Sequence, residues 1–269
     1  MNDESQRQGF GIWQGMGIFV LLLLVEIIVG GICMAVFGFH LMVILTETLV
    51  LLVPFSFLPA GGYSFRRFFS YPDRLGTGFW ILVAAATLFL SLVISDVTGY
   101  LHQLLPRPKE QQEALVKLLV ASSWPEYLFR ILAGGALAGF CEEFAFRGFF
   151  QSVFSKKLGG TGGFFLSAFL FGLMHLDPWM MAGAFMIGLF CGYLVYLTGN
   201  LWTAIFVHAF ANTLSFSAGF FSPKFGSDFE FTFPPYVTLI CTVFFILSID
   251  LIRKAHSKRQ TTEYRMTNV

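Results

Sequence analysis

Runs of about twenty apolar residues recur along almost the whole chain, and few architectures can absorb them. Read in a window of about 19 residues, they fall near 15–37, 41–58, 78–97, 127–154, 162–176, 180–198, 201–220 and 235–252. A run of that length spans the ~30 Å hydrocarbon core of a bilayer as a helix, because inside lipid every backbone polar group must find its partner within the chain. The composition agrees, with 56% hydrophobic and only 12% charged residues. That is about half the charge of an ordinary soluble domain. The chain therefore reads as all-α, a polytopic membrane helix bundle of about eight transmembrane helices, forming a single integral membrane domain over 1–269.

The flanking residues refine this picture. The first run follows the acidic start MNDES and extends from Gly11 to Phe37, too long for a signal-peptide core, so it is expected to stay attached. An even number of spans puts both termini on one side. That side would hold Arg7, Arg66, Arg67, Arg74, Lys156, Lys157, Arg253, Lys254, Lys258, Arg259 and Arg265, against Arg107, Lys109, Lys117 and Lys224 opposite. Because cytoplasmic loops are enriched in Lys and Arg, both termini are predicted to be cytoplasmic. RPKEQQEALVKLL, in the longest connection, has the pattern of an interfacial helix, and LGGTGG (158–163) that of a tight loop. With 17 basic and 16 acidic residues and no basic stripe, a nucleic-acid partner is not indicated. Cys33, Cys141, Cys191 and Cys241 all lie in apolar runs, far apart, and are expected to be buried free thiols.

An ionisable side chain near the bilayer centre costs about 2.5–3.5 kcal/mol on insertion scales, so its presence calls for a partner or a wet cavity. The fourth run contains three such groups in CEEFAFRGFF, residues 141–150. Glu143 and Arg147 are four apart with the acid N-terminal, the favoured order for an ion pair on one helix face. Glu142 is rotated by ~100° from Glu143 and is left without that counter-charge. On other runs, His175 ends FLFGLMH and His208 lies in LWTAIFVHAFAN, with Asn212 one turn later on the same face. At ~1.5 Å per residue, Glu142 lies ~18–20 Å from the cytoplasmic end of its run, His175 ~20 Å along the fifth, and His208 and Asn212 ~11–17 Å along the seventh. One layer can hold all four. His40, His102 and His256 fall in loops or at run ends. Glu26 and Glu47 are expected to satisfy backbone or partner groups rather than react, with the hydroxyls of Thr46 and Thr48 on offer beside Glu47.

These residue types suit hydrolysis. A desolvated Glu can act as general base toward a water held jointly with an imidazole, and a His and an Asn on one face can donate hydrogen bonds to a developing oxyanion. Ser167, Ser215 and Ser217 occur in neither a GxSxG nor an SxxK setting, so serine catalysis is not indicated. Two His with one or two Glu could also ligate zinc, although there is no HExxH and the histidines are 33 residues apart. The expectation is no metal and no cofactor, with zinc as the alternative. A non-catalytic polar network that glues helices together is the third reading.

EEFAFR (142–147), FGLMH (171–175) and HAFAN (208–212) form the ordered motifs EExxxR, FxxxH and HxxxN. On three membrane helices they resemble the CPBP family, the CAAX proteases and bacteriocin-processing enzymes, also called the Abi family. The resemblance implies an eight-helix, glutamate-dependent intramembrane endopeptidase with its catalytic motif core at about 127–220. It assigns Glu142 and His175 to water activation, His208 and Asn212 to the oxyanion hole, and Glu143 and Arg147 to holding the site in shape. It also implies a membrane-associated peptide or protein substrate and a bacterial cell membrane, and some relatives are immunity or self-protection proteins. Oligomeric state is not legible.

Overall fold

The computed structural model describes residues 10–59, 75–222 and 232–267, and every regular element among them is helical. Of the cations used above to assign topology, Arg7, Arg66, Arg67, Arg74 and Lys224 lie outside the described residues. Helices α1 (Ile12–Phe37) and α2 (Phe39–Ser56) form a hairpin with only Gly38 between them. Next come α3 (Thr77–Leu104) and the short α4 (Lys109–Leu119). A continuous helical run then extends from Trp124 to Met174. Within it lie α5 (Trp124–Arg130), a π-helical stretch (Ile131–Leu137), α6 (Ala138–Glu143), a second π-helical stretch (Phe144–Phe150) and α7 (Gln151–Met174). Helices α8 (Pro178–Thr198), α9 (Leu201–Phe221) and α10 (Pro235–Thr267) complete the bundle.

Among the described residues, seven helical runs are long and apolar enough to cross a membrane, and the Trp124–Met174 run is 51 residues. A straight helix of that length would measure ~75 Å, more than twice the ~30 Å apolar core. It reverses instead. Gly159 has φ 72° and ψ 170°, a backbone conformation open to glycine and almost nothing else. A Cβ placed on Gly163 would come 2.7 Å from Ser155 Cα, whereas residues eight apart in a straight helix are ~12 Å apart. The run therefore supplies two crossings, which brings the crossings among the described residues to the eight expected, and LGGTGG makes the reversal.

Helix ends differ from the hydropathy limits in a regular way. Helix α3 continues to Leu104 and α10 to Thr267, beyond the apolar limits at 97 and 252. Hydropathy marks where apolar side chains stop, but a helix continues as long as its backbone ladder and surface pairs support it. Where the apolar run of α10 stops, Asp250 pairs with Arg253 at 3.0 Å and Lys254 at 2.5 Å. Helix α4 forms where the interfacial helix was predicted.

Two cores hold the bundle together. One is phenylalanine-rich, with Phe144, Phe149, Phe150 and Phe154 packed against Phe19 and Leu22 of α1 and Val50 and Phe55 of α2. The other joins Val83 and Leu90 of α3, Phe190 and Leu194 of α8, Val207 of α9 and Ile252 of α10. Buried Asp96 adds a polar tie, accepting from Phe233 N–H at 2.7 Å and Thr238 Oγ1 at 2.5 Å. Ile27, Ile28, Leu239 and Ile246 point outward, as lipid-facing positions must. All four cysteines are buried and free.

Candidate active site

The site grows from the middle of the Trp124–Met174 run, where α6 lies between the two π-helical stretches. Arg147 Nη1 donates to Glu143 Oε1 at 2.9 Å, and both side chains are wholly buried. The guanidinium lies 4.6 Å from the ring centroid of Phe171. Such an ion pair is tolerable away from water only because each charge has the other and an aromatic face beside it. The same Glu143 oxygen accepts from His208 Nδ1 at 2.8 Å. A carboxylate only accepts, so Nδ1 carries the proton and the ring orientation is set, with Nε2 directed away from Glu143.

That second nitrogen faces Glu142. Its Nε2 lies 3.8 Å from Glu142 Oε2, close enough for one water to reach both atoms. The two adjacent acids thus have different surroundings. Glu143 is closed off, whereas the Glu142 side chain keeps 17% of its surface open and its Oε2 has no hydrogen-bond partner among the described residues.

Helix packing makes these distances possible. Gly135 and Gly139, one turn apart, lie against α9. A Cβ on Gly139 would stand 3.0 Å from Ala209 N and 3.2 Å from Ala209 Cα, so only glycine lets the two backbones approach this closely. Glu143 is one turn beyond Gly139, and His208 is next to Ala209. The glycine contact therefore carries the acid to the imidazole.

The first π-helical stretch positions Asn212. There Ala138 N–H donates to Ala133 O and Gly135 O, bypassing the Gly134 carbonyl that an α-helix would have used. Asn212 Nδ2 donates to that carbonyl at 2.7 Å and keeps its second N–H. His175 caps the end of α7, partly buried, and its Nδ1 donates to Phe171 O at 2.9 Å. The Phe171 ring stands edge-on to both imidazoles, with centroids 5.1 Å from His175 and 5.5 Å from His208. His208, and not His175, is the imidazole paired with Glu142 here, and Phe171 lies between the two rings.

The surroundings of Glu47 differ from the sequence expectation. The Thr46 hydroxyl bonds Met42 O at 2.9 Å and that of Thr48 bonds Ile44 O at 2.7 Å, so neither serves Glu47. Glu26 and Glu47 instead lie within electrostatic reach of Glu142. Two acids in otherwise apolar runs were the only signal available, because proximity across three helices leaves no local spacing to read. Ser167 donates to Phe146 O at 2.7 Å and is fully buried, and Ser217 bonds Tyr127 and Thr213, so both are structural. Among the described residues, no three His, Cys, Asp or Glu side chains are arranged to hold a metal ion.

Beyond the spanning segments, Asp177 N-caps α8, its Oδ1 accepting from Met180 N–H at 3.0 Å. Arg107 grips the same carboxylate at 2.6 and 2.9 Å. Burial pushes this carboxyl up, but the hydrogen bonds from Arg107 and the backbone more than reverse it and hold it below the usual range.

Helices that span a bilayer and a buried cluster of glutamates, histidines and an arginine define a polytopic integral membrane protein with ionisable chemistry inside the bundle. Residues 123–214 match the family model described as Type II CAAX prenyl endopeptidase Rce1-like. The matched segment agrees with the resemblance to the CPBP, or CAAX protease, family, and it contains all three motifs singled out in the sequence. This similarity supports an intramembrane endopeptidase in general. Neither a curated protein nor a solved structure gives a match to the chain.

Proposed function

We propose that the protein hydrolyses a peptide bond in a membrane-associated peptide or protein, with Glu142 as general base and without a metal ion. The observation that carries this reading is the asymmetry of the acidic pair. Glu143 is wholly buried, with one oxygen bonded to both Arg147 and His208, while the Glu142 side chain is partly open and its Oε2 faces an imidazole. A base must reach water, and only the second environment permits that.

In the proposed reaction, Glu142 takes a proton from water and the resulting hydroxide attacks the scissile carbonyl carbon. His175, whose Nδ1 proton is engaged by Phe171 O, offers Nε2 as an acceptor that holds the water. His208 and the second Asn212 N–H donate to the oxyanion, and for Nε2 to donate the ring must carry both protons. Glu142 then passes its proton to the departing amine as the C–N bond breaks. Glu143 and Arg147 keep His208 oriented. A second reading exchanges the histidines, with His208 holding the water, and is favoured by the 3.8 Å approach of its Nε2 to Glu142.

The domain match points to prenylated CAAX tails as the substrate class. The excess of cations on the terminal side supports both termini being cytoplasmic in a bacterial membrane, with the whole chain as one membrane domain. The deciding experiment measures cleavage of an internally quenched CAAX peptide, farnesylated and unmodified, by protein in bicelles. Glu142→Gln should lower turnover by ~10²–10⁴ while leaving the melting temperature near wild type. Undiminished turnover in that variant, or activity lost to a chelator and restored by zinc, would refute the proposal. No cleavage by the wild type would favour the non-catalytic immunity role.

A further inference from the structure

His175 is placed at the least secure point a helix offers. It is the C-cap residue that follows α7, and only Leu176 and Asp177 separate it from α8. Leu176 in that turn has φ 54°, a left-handed conformation that a branched side chain adopts only when its surroundings impose it. Helix ends fray unless tertiary contacts hold them.

Those contacts come from 70 residues earlier in the chain. Arg107 binds Asp177 with two parallel hydrogen bonds, Nη1 to Oδ2 at 2.6 Å and Nη2 to Oδ1 at 2.9 Å. Its guanidinium also lies 4.1 Å from the ring centroid of Trp179. Trp179 in turn donates from Nε1 to Leu105 O at 3.0 Å and stacks on His102 at 5.1 Å. Side-chain exposure is only 5% for Arg107 and 21% for Asp177, which makes this a built joint and not a loose surface pair. A bidentate pair fixes orientation as well as distance.

We infer that Arg107 and Asp177 are positioning residues for His175, locking the α7–α8 turn to the end of α3 so that the imidazole keeps one orientation over the site. This inference rests on the proposed role of His175 in holding water. Asp177 is two residues from His175, so any rotation of the turn passes directly to the ring. A geometric error of about 1 Å at a reacting group can cost ~100-fold. Arg107 comes from outside the segment that matches the family model, so the flanking chain would be tuning the site.

The test uses full-length protein in bicelles and has two arms. In the first, Arg107→Met should lower kcat on the quenched farnesylated peptide by about 10- to 100-fold with KM within about twofold, and Arg107→Lys should recover part of the loss. On a His175→Ala background, Arg107→Met should have no further effect on turnover. In the second, ¹³C-histidine-labelled protein should show one sharp His175 ring signal, identified by its absence from His175→Ala, that shifts or broadens in Arg107→Met while the His208 signal does not. An unchanged His175 signal, losses that multiply with His175→Ala, or a defect confined to KM would overturn the inference. Because the spectrum needs no turnover, failure of the hydrolytic reading, seen as full activity in Glu142→Gln, is distinguishable from failure of the positioning device.

Discussion

Removing Arg147 should be the most damaging single change to the folded state. Neither its side chain nor that of Glu143 has any exposed surface, and the 2.9 Å contact between them is the buried acid's cationic partner. Arg147→Met keeps most of the apolar stem but leaves the carboxylate uncompensated in the phenylalanine core, at a cost of about 3–5 kcal/mol. That corresponds to roughly two to three and a half powers of ten in the folding equilibrium. Arg147→Met with Glu143→Gln removes both charges, and the amide oxygen can still accept from His208 Nδ1. The double variant should regain most of the loss, giving a coupling energy of at least about 2 kcal/mol. Reversible unfolding in mixed micelles, followed by tryptophan fluorescence for both single variants and the double, measures this. An Arg147→Met protein as stable as wild type, or strictly additive effects, would show that the buried charges do not depend on each other.

Gly139→Ala should destabilise by about 1–3 kcal/mol, because the new Cβ meets α9 backbone at 3.0–3.2 Å and that backbone cannot step aside locally. It should also lower kcat as His208 is drawn from Glu143, and an unchanged melting temperature would contradict the seam. Asn212→Ala should cost ~10²–10³ in kcat with KM nearly constant, and with His208→Ala added the total loss should be smaller than the product of the two. Losses that appear only in KM would instead assign these residues to substrate binding. For Asp177 the folded carboxyl sits below its ordinary range, so its contribution to stability is present above the unfolded value and is lost as pH falls through the folded one. The melting-temperature gap between wild type and Asp177→Asn should therefore close below about pH 4. A gap that persists or widens there would contradict the pairing.

Much of this molecule is decided by one-dimensional regularities. Spans of about twenty apolar residues can only be helices in lipid, so their number and order follow from hydropathy alone. The Glu143–Arg147 pair is likewise local, since spacing of four on one helix brings the side chains together wherever the helix lies. Glycines at 159, 162 and 163 announce a reversal because few other residues permit it. The relations across helices were a different matter. That His208 engages both acids, that Glu47 lies in the electrostatic neighbourhood of Glu142, and that Arg107 holds the turn beyond His175 depend on which helix faces meet and at what depth. Apolar runs carry almost no rotational signal, because lipid and protein neighbours are equally greasy. Only the close approach of α6 to α9 at Gly139, together with the π-helical stretches that rotate side chains on either side of α6, determined which polar groups would share one site.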